Sequence, residues 1–421
     1  MPDAPPRPGL LAHPAGRIGL LASLYLSQGL PYGFFVQALP VILREQGLSL
    51  ELIGASSGLA LPWALKFLWA PLVDRFGLPA LGWRRTWLLP LQAAAVLALL
   101  GFALTPPALA IYALVGGVLL LNLLSATQDI ATDGLAVSVL RPAERGLGNG
   151  VQVAGYRVGM LLGGGLILAA SDQLGWAGSF GLMAGILALA SVPVLLLRPE
   201  EDPAPAPAAA GGPKAPGLWR LPGAAAWFGF IALFKLGDHF TTGMVRPLLV
   251  DLGWSAGQIG EVVGVVGFGA ALLGALAGGA LVRPLGPDRA LWALGGGQAL
   301  ALLALAPAAA IAQAGGGDGA LIGAVIGEHF FASMATAALF SRMMDASRPG
   351  SGGADYTLQA SVVVAANGVG AALAGVSAGA LGYPAHFALG GLIAALGVVP
   401  ALWAARRGGF AFPARARAPG A

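Results

Sequence analysis

REQGLSLELIGASSG, residues 44–58, returns later in the chain as VDLGWSAGQIGEVVG, residues 250–264. Gly47 aligns with Gly253, Ser49 with Ser255, Ile53 with Ile259, Gly54 with Gly260 and Gly58 with Gly264, all at one offset. A second pair of stretches, GWAGSFGLMAGILALASVP from Gly175 and GYPAHFALGGLIAALGVVP from Gly382, matches at an offset larger by one. There Phe180 meets Phe387 and Pro193 meets Pro400. A single match in a chain with 66 glycines carries little weight, but two at nearly one offset point to a duplicated unit.

Around these stretches the chain is a succession of apolar runs. Spans are expected near 18–43, 51–72, 86–105, 108–139, 150–170, 176–197, 224–249, 257–282, 289–311, 319–344, 355–381 and 384–405. Each is close to the ~20 residues that cross a ~30 Å hydrocarbon core as a helix. The duplicated unit therefore holds six helices. The whole reads as an all-α membrane protein of 12 transmembrane helices in two pseudo-symmetric six-helix bundles, related as a parallel repeat. The expected divisions are an N-terminal bundle over 1–197, a Pro/Ala-rich linker over 198–223, a C-terminal bundle over 224–405 and a basic tail over 406–421. The linker contains PEEDPAPAPAAAGGPKAPG and has no hydrophobic period. The Pro-rich first sixteen residues lead through Arg17 into an apolar run without a small-residue cleavage site, so the first helix is expected to remain a span.

Composition agrees. The 421 residues are 57% hydrophobic and 10% charged, with mean hydropathy +0.78, whereas soluble domains carry roughly 25% charged residues. The formal charge of +4 and pI of 9.7 do not mark a nucleic-acid binder, because the cations stand singly in short loops without interleaved aromatics. They serve instead to set topology. Arg75, Arg84, Arg85, Arg141, Arg145, Arg198, Lys214, Arg220, Arg283, Arg289, Arg342, Arg348, Arg406 and Arg407 fall on the side that holds both termini, against Arg44 and Arg246 on the other. The positive-inside rule makes that side the cytoplasm and predicts an inner-membrane, multi-pass protein. Cysteine is absent, which excludes disulfides, thiolate metal sites and cysteine nucleophiles. Gly155, Gly159 and Gly163, four apart, predict a close helix packing stripe.

The loop after the second span, LVDRFGLPALGWRR at 72–85, places Asp74, Arg75 and Gly77 ahead of paired Arg84 and Arg85. Acid and cations at neighbouring helix ends make ion pairs that can exist in one conformation and break in another. The order resembles the G-x-x-x-D-R-x-G-R-R loop of the major facilitator superfamily, with an insertion before the arginines. Five blocks, GLPYGFFVQALP, LPWALKFLWAPLVDR, ATQDIATDG, ERGLGNGVQVAGYRVGM and FKLGDHF, resemble the family that holds the AmpG-type muropeptide permeases, the acetyl-CoA transporters and the RhtX/FptX-type siderophore permeases. That resemblance implies the major facilitator fold and a secondary transporter for a bulky polar solute. Muropeptide permeases often have two further C-terminal spans and lack the ADYTLQAS stretch at 354–361, which tilts the expectation to a siderophore permease, with a muropeptide permease as the alternative. The fifth span, GYRVGMLLGGGL, lacks the Gly-Pro element of antiporters and favours uptake.

Ionisable residues within spans are costly and mark sites by default. Lys66, Asp129, Asp133 and Arg157 share a depth, and Asp129 and Asp133 are i,i+4 on one face, so the four are expected to form one charge cluster, read first as structural. Lys235, Asp238 and His239 in the seventh span and Glu328 and His329 in the tenth lie near the midplane and are candidates for proton coupling. Lys235 is three residues before Asp238, whereas Glu328 has no cation at helical spacing. Tyr25, Gln28, Tyr32, Gln37, Gln128, Tyr356, Gln359 and Asn367 are candidate cavity residues, each of which taken singly reads first as an interhelical hydrogen-bond partner or an interface aromatic. No cofactor or metal is expected, the driving force being a proton gradient; the partners are a small solute and the bilayer, not nucleic acid, with the monomer functional. Without a Walker A, H-E-x-x-H or G-x-S-x-G sequence, neither an ATP-driven pump nor an intramembrane enzyme is favoured. A transporter-like sensor is the remaining rival.

Overall fold

The computed structural model describes residues 9–39, 56–105, 110–202, 217–348 and 351–406. The first copy of the repeat up to Ala55, Arg44, the middle of the linker with Lys214, and the basic tail from Arg407 lie outside them. All twelve expected spans fall on helix where they are described. The helices are α1 (Pro14–Gly33), α2 (Leu61–Leu65), α3 (Ala70–Arg75), α4 (Arg85–Leu104), α5 (Ala110–Val139), α6 (Arg145–Met160), α7 (Ile167–Leu196), α8 (Ala224–Thr242), α9 (Val245–Asp251), α10 (Ala256–Ile259), α11 (Gly267–Leu285), α12 (Pro287–Gln313), α13 (Gly319–Ala346), α14 (Gly352–Leu381) and α15 (Tyr383–Arg406). Eight helical stretches among the described residues are long and apolar enough, by length and composition, to cross a membrane. Their outward apolar side chains, such as Leu104 at 84% and Val376 at 74% exposure, suit lipid and not water.

Two compact units result. One comprises Met1–Arg141, Ala154–Ala210 and Ser347–Thr357, and the other Pro142–Val153, Gly211–Ala346 and Leu358–Ala421. The first turns of α6 thus belong with the second unit, and the first turn of α14 with the first. In the first unit, Leu30, Phe34, Leu99, Phe102, Phe180 and Met183 form one apolar core. In the second, Leu248, Leu302, Leu305, Val325 and Phe387 form its counterpart.

The repeat read from the sequence is legible in the backbone. Gly175 (φ 63°) and Gly382 (φ 76°) both adopt the left-handed conformation that only glycine enters cheaply, and each turns the chain into the last span of its half. Phe180 and Phe387, which follow them at equal distance, are both fully buried. The Gly155/Gly159/Gly163 stripe packs as expected. A β-carbon on these residues would meet the carbonyl oxygens of Ala22, Leu26 and Leu30, themselves four apart on α1. Gly29 and Gly33 of α1 are closed in turn by the Tyr156 and Met160 backbone, so both helices contribute small residues to the seam.

The second span departs from a plain helix. It runs as a 3-10 turn at Ser56–Ala60, α2, a second 3-10 turn at Lys66–Leu68, and α3. Pro62 and Pro71 each stand at the start of an α segment, where the missing N–H breaks the ladder behind them. Wider π turns follow α1 at Phe34–Ala38, just after Pro31, and follow α6 at the Gly-rich Leu161–Leu166.

Candidate functional site

A polar network fills the interior of the first unit. α5 supplies most of it from one face, and α1 and the broken second span supply the partners. Lys66 Nζ is ion-paired with Asp129, both buried. Tyr25 donates its hydroxyl to Asp133 Oδ1 at 2.9 Å, with Asp129 and Lys66 close to the same carboxylate. Gln28 Nε2 donates to Thr132 Oγ1 at 2.8 Å, and Gln128 Nε2 donates to Ser27 Oγ at 2.8 Å. Lys66, Asp129 and Asp133, three of the four residues expected to cluster, thus lie close together. The two carboxylates divide their work: Asp129 meets the second span's lysine and Asp133 meets a tyrosine of the first. Arg157 sits half-buried on α6, one residue past Tyr156.

Above Lys66 three aromatic rings converge. Tyr32 lies 5.5 Å from Trp63 and 5.7 Å from Tyr156, and Trp63 lies 6.3 Å from Tyr156. Lys66 Nζ is 5.4 Å from the Trp63 ring. Trp63 Nε1 donates to Asn122 Oδ1 at 3.1 Å, and Asn122 donates onward to the Leu59 carbonyl, which fixes the indole. Of the three, only Tyr32 stands out in the sequence as a cavity candidate. Trp63 precedes Lys66 by three positions, a same-face spacing that could have found it; Tyr156 carries no such signal.

At the end of the second span, Asp74 is ion-paired with Arg84 Nη2 at 2.5 Å and accepts the Ala354 N–H of α14 at 2.7 Å. Gly77 is needed where the Trp83 ring crosses the loop, and Arg75 lies over Phe76. The backbone N–H groups of Arg84 and Arg85 both donate to Asp202 Oδ2, at 2.6 and 2.8 Å. Asp202 stands just past the sixth span; burial pushes its carboxyl up, opposed by these two N–H bonds. Arg348 grips Asp355 with two parallel bonds, 2.7 Å from Nε and 2.8 Å from Nη2. Neither the Asp202 clasp nor the Arg348 pair stands out in the sequence.

In the second unit Lys235 Nζ lies 2.5 Å from Asp238 Oδ2 and donates to Thr336 Oγ1 at 3.1 Å. His239 and Gln298 also face the Asp238 carboxylate. Glu328 has a partner that helical spacing does not suggest, its own neighbour. His329 Nδ1 is 2.8 Å from Glu328 Oε2 and 2.9 Å from the Val325 carbonyl, so Nδ1 carries the proton and donates. Arg145 Nη1 pairs with Asp345 at 2.5 Å. Of the remaining cavity candidates, Gln359 accepts from Trp227 Nε1 and donates to the Met343 carbonyl, a helix-to-helix role. Tyr356 is buried, near Tyr25, within the first unit. Gln37 is exposed and donates to the Met160 carbonyl. The Asn367 side-chain oxygen has no hydrogen-bond partner among the described residues.

Comparison with known proteins bears on all of this. The family model of the Major Facilitator Superfamily matches residues 21–360. An uncharacterized protein of Haemophilus influenzae is 35% identical over 279 residues, which cover 64% of this chain and 65% of that protein. The anhydromuropeptide permease of Escherichia coli K12 is 34% identical over 284 residues, 66% of this chain and 58% of that permease. The chain thus spans 65% and 58% of the length of these two relatives. Among solved structures, the human organic anion transporter MFSD10 superposes with a TM-score of 0.68 at 16% identity, covering 92% of this chain and all of that one. A bacterial homologue of the iron transporter ferroportin gives 0.63 at 16% identity, covering 91% and 96%. At such identity the likeness is one of fold alone.

Proposed function

The chain belongs to the Major Facilitator Superfamily, and from that premise we propose that it is a secondary transporter for anhydro-muropeptides, amino-sugar units that carry a short peptide. The observation that carries the reading is the 34% identity to the Escherichia coli anhydromuropeptide permease over 284 residues. It outweighs the ADYTLQAS stretch and the span count, which alone favour a siderophore permease. Geometry supports it too, since the first unit offers a solute with both rings and polar groups a set of half-buried aromatics beside a buried hydrogen-bonding network.

The proposal includes an inner-membrane location, both termini in the cytoplasm, a working monomer and proton coupling. Asp238 and Glu328 are the leading proton carriers, with His239 and His329 beside them. A carrier must be protonated in one state and ionised in another, and Lys235 at 2.5 Å is a cation that could hold Asp238 ionised until the pair separates. The deciding test is uptake into energised vesicles of an anhydro-muropeptide against a ferric siderophore. Accumulation of the first, abolished by protonophore and by Asp238→Asn or Glu328→Gln with exchange retained, is the expected result. Accumulation of the siderophore instead would overturn the substrate reading. Normal accumulation by both variants would remove the two carboxylates from coupling. A cysteine at Ala209 that reacts with an impermeant reagent outside intact cells would reverse the topology.

A further inference from the structure

The three rings of the first unit have a feature in common beyond their proximity. Each stands within about one and a half turns of a break in regular helical geometry. Tyr32 stands in the last two residues of α1, just before the π turn Phe34–Ala38; Trp63 lies in the short α segment between two 3-10 turns; and Tyr156 stands in the last five residues of α6, ahead of the π turn Leu161–Leu166. Irregular backbone within a membrane span frees carbonyls and N–H groups, and it persists where the segment faces a cavity or a ligand and not lipid. π turns likewise gather at functional sites. The backbone irregularity and the ring cluster are independent observations, and all three rings stand near such a break.

Chemistry narrows the occupant. Interplanar angles of 70°, 43° and 82° mean that no ring of the three is stacked face to face on another. All three side chains are half-buried, not sealed. A cationic guest is disfavoured, because the Lys66 ammonium already lies against Trp63 and its counter-charge Asp129 is engaged by it. A fully apolar guest would sit against a buried ion pair and the Asn122 amide and leave polar groups unmatched. A pyranose ring answers both conditions. Its axial C–H groups lie on an aromatic face, and its equatorial hydroxyls and acetamido group reach polar side chains at the edge.

We propose that Tyr32, Trp63 and Tyr156 form the platform on which a pyranose ring of the transported solute is laid, with the Lys66–Asp129 pair fixing the floor beneath Trp63. The inference rests on the muropeptide reading and specifies where the sugar, as opposed to the peptide, is held.

The test is equilibrium binding to the purified full-length protein in nanodiscs, with three radiolabelled probes: the disaccharide N-acetylglucosaminyl-1,6-anhydro-N-acetylmuramic acid, the free stem tripeptide and the intact anhydro-muropeptide that joins them. Trp63→Ala and Tyr156→Leu are expected to weaken disaccharide binding at least about tenfold, equivalent to roughly 1.4 kcal/mol, while tripeptide binding is unchanged. Trp63→Phe should recover most of the loss. Trp63→Leu keeps the apolar bulk of the helix contact without an aromatic face, and it replaces the alanine variant should that one fail to fold. Wild-type disaccharide binding that persists in all the non-aromatic variants overturns the platform and leaves the muropeptide reading intact. A wild-type protein that binds neither the disaccharide nor an intact anhydro-muropeptide overturns that reading, and the platform with it.

Discussion

Asp74 accepts the backbone N–H of Ala354 at 2.7 Å while its other oxygen is ion-paired with Arg84 at 2.5 Å, so one carboxylate at the end of the second span holds the first turn of α14. The N-terminus of a helix carries partial positive charge and unsatisfied N–H groups, which a carboxylate answers on both counts.

Asp74→Asn should therefore cost more than a lost hydrogen bond. The amide can still accept from Ala354, but the buried Arg84 guanidinium loses its counter-charge, a change of about 3–5 kcal/mol in comparable pairs. Thermal unfolding of the purified protein, followed by tryptophan fluorescence, should show a drop of several degrees; Arg75→Gln, at an exposed position, should leave it unchanged within error.

The glycine seam gives a second expectation. A side chain at Gly159 would run into the Leu26 carbonyl and Gly29 of α1, neither of which can yield without moving the helix. Gly159→Leu should lower the folded yield sharply and cost at least about 1–3 kcal/mol, the usual range for overpacking. Gly185 has open space around its would-be β-carbon. Gly185→Ala should be neutral or stabilise by up to about 1 kcal/mol through helix propensity. Equal losses in the two variants would show that the seam does not govern packing.

These positions also mark what the sequence could convey. Span locations, the Gly155–Gly163 stripe and the Gly175/Gly382 pair were legible because each depends on local pattern: hydropathy, four-residue spacing, or a repeat. The breaks in the second span are signalled only by Pro62 and Pro71, because a hydropathy window sees 56–75 as one apolar run. Asp133 bonds Tyr25 across more than 100 positions of chain, and spacing along one helix cannot reveal a partner on another. Tyr156 carries no signal in the sequence for the same reason, since only the packing of α6 against α1 brings its ring to Tyr32, whereas Trp63 is marked by its spacing from Lys66.

The Lys66–Asp129 pair separates structural from functional roles. Asp129→Asn removes the direct ion-pair partner of a buried ammonium, leaving it only the Asp133 carboxylate nearby, and should destabilise by up to about 3–5 kcal/mol. Replacing both partners by apolar residues of similar size, Lys66→Met with Asp129→Leu, removes the desolvation cost along with the attraction, and should recover most of the lost stability. Uptake by the double variant is the informative measurement. A stable double variant that transports normally assigns the pair to packing alone, and a stable but inactive one assigns it to the solute path.

Asp202 makes the last case, and pH is its readout. Its Oδ2 accepts from both Arg84 and Arg85, at the N-terminus of α4, and a capping oxygen of this kind contributes about 1 kcal/mol. Burial nevertheless raises its pKa, so the folded protein holds this proton more tightly than the unfolded chain does. For a raised pKa the linked stability is fully present below the unfolded value, roughly 3.9, and is lost as pH rises through the folded value. Asp202→Ala removes the cap and should lower stability at every pH. Asp202→Asn keeps an acceptor oxygen and removes the titration, so at neutral pH it should match or slightly exceed wild type. Its advantage should shrink as pH falls through the folded pKa, because wild type then becomes neutral as well. Unfolding midpoints measured between pH 4 and 7.5 for the three proteins decide the matter. If Asp202→Asn falls as far as Asp202→Ala at pH 7, the ionised carboxylate itself, and not an acceptor oxygen, holds the linker to α4.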